Sequence, residues 1–122
     1  MKQLIVLAVL CTLVLLLVAC GGGQAPVVMD EPVPAGAEGA HTVELTFSPE
    51  NIKPDNITLK AGEKVLFVIK NTDPKEDHNL VGTDVSLKEI LVVPGQTVRR
   101  LWTASSKTGE FPVGCTIHPE IR

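Results

Sequence analysis

The sequence predicts an all-β sandwich, on three observations. Residues 42–47 alternate strictly, with Val43, Leu45 and Phe47 set against Thr42, Glu44 and Thr46; a period of two marks a strand with one buried face. Short apolar runs recur along the chain with Gly- and Pro-bearing turns between them, such as Ala61-Gly62-Glu63 and Pro94-Gly95, the rhythm of packed sheets. After the first 20 residues no segment carries the apolar period of a helix. Aromatic residues make up only 3% of the chain, so Val, Leu and Ile must fill the core.

The chain opens outside that domain. Lys2 precedes an apolar run, Leu4–Ala19, which closes at Leu17-Val18-Ala19-Cys20 ahead of Gly21, Gly22 and Gly23. A positive start, an apolar stretch and small residues at its end form a secretory signal. A retained membrane helix is the alternative, but the run is barely long enough to span a bilayer, and a Cys after a small residue favours cleavage. Leu17–Cys20 resembles the lipobox of bacterial lipoproteins. That resemblance implies a signal over residues 1–19 and a lipid on Cys20, and with it an exported chain anchored to the cell membrane and facing the periplasm or the cell exterior. Residues 20–40 are rich in Gly, Ala and Pro and read as a flexible tether.

The folded domain then spans 41–122. Strands are expected at 42–47, at Ile57–Leu59, over 64–71 (KVLFVIKN), at 78–81, over 97–103 with Val98 and either Leu101 or Trp102 inward, and over 111–115. SPENIKPDN is expected as a loop, NTDPKED as a polar turn, and 82–96 as less regular. No internal repeat is visible.

Charge excludes one class of partner. Removing Lys2 from the 11 basic residues leaves 10 against 14 acidic ones, a net charge of −4. Arg99-Arg100 is an isolated pair, read as a solvated strand edge, and no basic patch suits nucleic acid. Cysteine usage narrows the chemistry. Of 3 Cys, Cys11 leaves with the signal and Cys20 carries lipid, so Cys115 alone remains and cannot form an internal disulfide. It is a buried apolar residue, an interchain partner or a metal ligand.

Cys115-Thr116-Ile117-His118-Pro119 is the sharpest feature. A Cys and a His three apart on a tight loop can aim at one point, and His78 lies upstream at the start of another expected strand. Two imidazoles and one thiolate with a weak axial partner form the blue-copper electron-transfer pattern. The same three donors with an open fourth position could hold zinc, and an isolated C-x-x-H is in itself a weak signal.

From Val43 to Ile121 the chain resembles the cupredoxins, and especially the small bacterial cupredoxin-like domains. The resemblance rests on Phe47-Ser48-Pro49, Ala61-Gly62-Glu63, the strand ending in Asn71, His78-Asn79-Leu80, Pro94-Gly95-Gln96-Thr97, and Gly109 to Cys115, in that order. The loop CTIHPEI is similar to the short ligand loop of the amicyanins. The resemblance implies a Greek-key β-sandwich holding one copper ion on His78, Cys115 and His118. It implies that Asn79 and Thr116 fasten the two ligand loops together. It also implies that electrons pass through His118, with Pro119 in the apolar rim where redox proteins dock. His41 matches nothing and is expected in solvent.

Two departures follow. The family's usual axial Met falls at Ile121, which cannot ligate, so a nearly three-coordinate site of raised potential is expected; the carbonyl of Asp77 is the candidate for a weak axial oxygen. The family's final strand lies beyond Arg122 and is expected to be missing from this sequence, leaving a neighbouring edge unpaired. The function expected is type 1 copper electron transfer, with copper delivery or uptake assistance as the alternative and a metal-free structural sandwich as a third class. Neither an enzyme nor a small-molecule substrate is indicated.

Overall fold

A computed structural model describes residues 21–121; the expected signal and Cys20 lie outside the described residues. Among the described residues, six strands form two sheets: β1 His41–Phe47, β2 Ile52–Lys53, β3 Lys64–Asn71, β4 His78–Gly82, β5 Leu87–Val92 and β6 Thr97–Thr103. A single 3₁₀ turn, Thr83–Val85, joins β4 to β5. No α-helix occurs among the described residues, and none of the described helical turns is long and apolar enough to cross a membrane. The all-β reading therefore holds.

The first sheet runs β2-β1-β3-β6 and the second β4-β5. β1 and β3 pair in parallel from His41↔Val65 to Phe47↔Asn71, so their carboxyl ends lie side by side. Alternation along β1 buries Val43, Leu45 and Phe47. They meet Val65, Phe67 and Ile69 of β3 and Leu80, Ile90 and Val92 of the second sheet in one core. Each fully buried side chain of this kind contributes roughly 1.5–3 kcal/mol. Trp102, rather than Leu101, packs against that core, its ring 5.8 Å from Phe67.

Four expectations about local structure need correction. The segment read as a loop after Phe47 contains β2, because Ser48 Oγ accepts from the N–H groups of Glu50 and Asn51 and turns the chain back on itself. Ile57 and Leu59 form no strand; they lie against the core without pairing. Residues 82–96, read as irregular, hold β5, which a register shift between Leu80 and Gly82 accommodates. Phe111–Cys115 is not a strand but makes one bridge, Val81↔Gly114. Gly82 permits that approach, since a Cβ there would lie 2.5 Å from Val113 Cγ1.

Part of the stretch expected as tether lies along β6. Glu31 N–H donates to Thr97 O and Thr97 N–H to Met29 O, at 3.0 and 2.8 Å, forming a parallel bridge at Asp30↔Thr97. Arg99 pairs with Asp30 and Arg100 with Glu31, so the two arginines clamp this arm.

Candidate metal centre

The site forms where the carboxyl ends of β1 and β3 meet the start of β4. Phe47 closes β1 and Asn71 closes β3 opposite it. Thr72 donates both its N–H and its hydroxyl to Phe47 O, each at 2.8 Å, which ties the start of the connecting loop to the end of β1. His78 then enters β4 fully buried and stacked on Phe47, centroids 5.4 Å apart and planes within 5°.

The connection over 72–77 is more than the polar turn its composition suggested. Asn71, fully buried, donates from Nδ2 to Glu76 O and Val92 O and accepts from Asp73 N–H through Oδ1. Asp73 Oδ1 accepts from the N–H groups of Lys75 and Glu76, at 2.9 and 3.1 Å. Its other oxygen, Oδ2, lies 3.2 Å from His78 Nε2. The Lys75 N–H is the foremost cause holding the Asp73 carboxyl below its usual range; burial opposes it, and Glu76 N–H and His78 add to it. An ionised carboxylate only accepts hydrogen bonds, so Asp73 Oδ2 faces His78 Nε2 as an acceptor.

The second ligand loop is brought across by the Val81–Gly114 bridge, whose two backbone bonds are both 3.0 Å. Asn79 completes the placement. Its Oδ1 accepts from Thr116 N–H at 2.7 Å, and its Nδ2 donates to Thr116 Oγ1 at 2.8 Å and to Glu89 Oε1 at 2.6 Å. These bonds tie the start of β4 to the segment after Cys115.

His78, Cys115 and His118 converge, with one donor atom from each lying within 4.8 Å of the others. Cys115 Sγ is 3.7 Å from His78 Nδ1, and the two imidazole centroids are 4.8 Å apart. Nitrogen and sulfur donors at about 2.0 and 2.3 Å from a common centre, spread trigonally, are separated by about 3.7 Å. His118 Nδ1 is buried without a hydrogen-bond partner, although buried polar atoms are nearly always paired. An orphaned nitrogen, a thiol and a second imidazole nitrogen facing that thiol are what a bound metal would satisfy. Cys115 and His78 are buried and His118 is half-buried, so one ligand edge approaches solvent.

Of the other residues singled out in the sequence, Ile121 is buried in the core, its N–H donating to His118 O at 3.1 Å. Pro119 and Asp77 are exposed. His41, expected in solvent, is exposed but paired with Glu63. Sequence reasoning passed over Phe47, Asp73 and Glu89 as parts of the site. The spacing Asn71-Thr72-Asp73 held the one available signal, since Asn and Asp readily bond to nearby backbone in turns.

A family model described as Cupredoxin-like domain matches residues 9–122. No curated protein sequence matches the chain. Among solved structures, one described as "Cryo-EM structure of a heme-copper terminal oxidase dimer provides insights into its catalytic mechanism" is similar at 18% identity and a TM-score of 0.46, covering 94% of this chain and 84% of that one.

Proposed function

This chain belongs to the family of cupredoxin-like domains, and we propose that it is a single-copper electron carrier rather than an enzyme, exported and held at a membrane by lipid on Cys20. The observation that carries the reading is the convergence of His78, Cys115 and His118, with His118 Nδ1 buried and unpartnered. A soft thiolate with two imidazoles suits copper in both oxidation states. Bound there, copper would supply reversible one-electron chemistry.

The chain's own residues do the rest. His78, Cys115 and His118 hold the ion. Asn79 and Thr116 keep the two ligand loops at a fixed separation, so little rearranges when charge changes. Phe47 covers one side of His78 and Ile121 fills the core where a sulfur ligand is usual in the family. The backbone carbonyl of Asp77, the residue before His78, would be a further oxygen donor to the ion. His118 would provide the outlet, and the exposed apolar side chains of the same segment, Val113 and Ile117, each 43% exposed, and Pro119, would offer apolar contacts to a redox protein docking transiently. Burial of Cys115 and His78 favours retaining the metal over passing it on, which ranks electron transfer above copper delivery.

The test is spectroscopic. Copper(II) added to the full-length protein in detergent should produce an intense thiolate-to-copper band in the visible, and Cys115→Ser should abolish it. A protein that takes up zinc but forms no coloured copper complex would sink the electron-transfer reading.

A further inference from the structure

We propose that Asp73 is a positioning residue that fixes the tautomer of His78 and so keeps Nδ1 available as a metal donor, an inference that rests on reading His78 as a ligand. The side chain of Asp73 is 5% exposed, and among the described residues no lysine or arginine pairs with it. A carboxylate in that position is costly unless its oxygens are satisfied. They are satisfied asymmetrically. Oδ1 takes the two backbone N–H groups of Lys75 and Glu76, and Oδ2 faces only His78 Nε2. The backbone bonds pin the carboxylate in place, and Asn71 pins the backbone through Asp73 N–H. Oδ2 is therefore presented to the imidazole by a loop wired for that purpose.

Neutral imidazole carries one proton. With an acceptor-only oxygen at Nε2, that proton stays on Nε2, and Nδ1 turns its lone pair toward Cys115 Sγ, 3.7 Å away. The same contact raises the basicity of the imidazole toward a metal.

Asparagine at this position has the same shape and a different inventory: one accepting oxygen and one donating NH2. Two orientations are open to it. If its oxygen stays on the N–H groups of Lys75 and Glu76, both backbone bonds survive and the NH2 faces Nε2. Nε2 must then accept, and the proton moves to Nδ1, into the space a metal would fill. If the amide flips, one bond to His78 survives while the NH2 is forced against two N–H donors. The first orientation keeps more bonds, so Asp73→Asn switches the tautomer.

The experiment is nitrogen-15 NMR of the imidazole in the metal-free, full-length protein in detergent, with copper(II) affinity measured in parallel. Expected are an Nε2–H tautomer at His78 in the wild type, an Nδ1–H tautomer in Asp73→Asn, and a 10- to 100-fold loss of copper affinity in the variant. An Nδ1–H tautomer in the wild type overturns the proposal, whether or not the variant folds. So does a folded Asp73→Asn protein that keeps Nε2–H. A tautomer switch in a protein that binds no copper in either form upholds the assignment of Asp73 while overturning the metal-centre reading.

Discussion

At the scale of single residues, the centre is defined as much by Ile121 and Asp73 as by its three donors. Ile121 is 3% exposed and offers no donor atom. With copper bound, loss of an axial sulfur would destabilise copper(II) more than copper(I) and raise the potential. Asp73 would push the other way, because a hydrogen-bonded carboxylate would make His78 a stronger donor and favour copper(II). The two effects are separable by mutation. Ile121→Met should lower the midpoint potential measured by redox titration; a rise, or no change with copper still bound, refutes the axial argument. Only the first of these residues could be read from the sequence. Ile121 stands at a fixed spacing from His118, whereas the service of Asp73 to His78 depends on backbone bonds from Lys75 and Glu76 that no spacing reveals.

At the scale of elements, the fit depends on β4 and the 115–118 loop being locked together. Asn79 does most of this. It is 1% exposed and bonds to Thr116 twice and to Glu89 once. Asn79→Ala removes all three bonds and leaves Thr116 N–H and the Glu89 carboxylate without that partner. Stranding such groups costs about 1–3 kcal/mol. A urea midpoint for the metal-free variant should fall accordingly, and its copper complex should lose metal faster; an unchanged midpoint contradicts the clamp. β1, β3 and β6 were legible because alternation or a run of β-branched residues announces a buried face. β2 and β5 were not. β2 exists because Ser48 folds the chain back onto Phe47, and β5 exists because β4 offers it an edge. Pairing, rather than pattern, makes these strands.

At the scale of the whole molecule, the arm over 28–36 changes how the domain meets its tether. Its backbone covers the start of β6, an edge that would otherwise expose free N–H and C=O groups. Arg100 donates to both Glu31 carboxylate oxygens. That contact is the main reason the Glu31 carboxyl lies below its ordinary value, against the opposing effect of burial, with Arg99 assisting. Docking therefore favours ionised Glu31: its contribution is complete above the ordinary carboxylate range and is lost as the pH falls through the lowered value. Exposed pairs of this kind contribute at most about 1 kcal/mol each. The stability gap between wild type and Glu31→Gln should be present at neutral pH, close in acid, and narrow in high salt. A gap that stays constant from neutral pH into acid would show that the ion pair does not hold the arm.

The sequence by itself determined the sheet-rich class, the strands with a clear alternation or a long β-branched run, and the identity of the candidate donors. Those properties are local: a period of two, or a Cys and a His three apart, needs no partner to be recognised. Tertiary structure decided that His78 comes within 3.7 Å of Cys115 Sγ, that Asp73 stands behind it, and that the glycine- and proline-rich arm pairs with β6. Each of these joins segments distant in the chain or bonds a side chain to backbone, so its energy appears only once the strands have brought the partners into register.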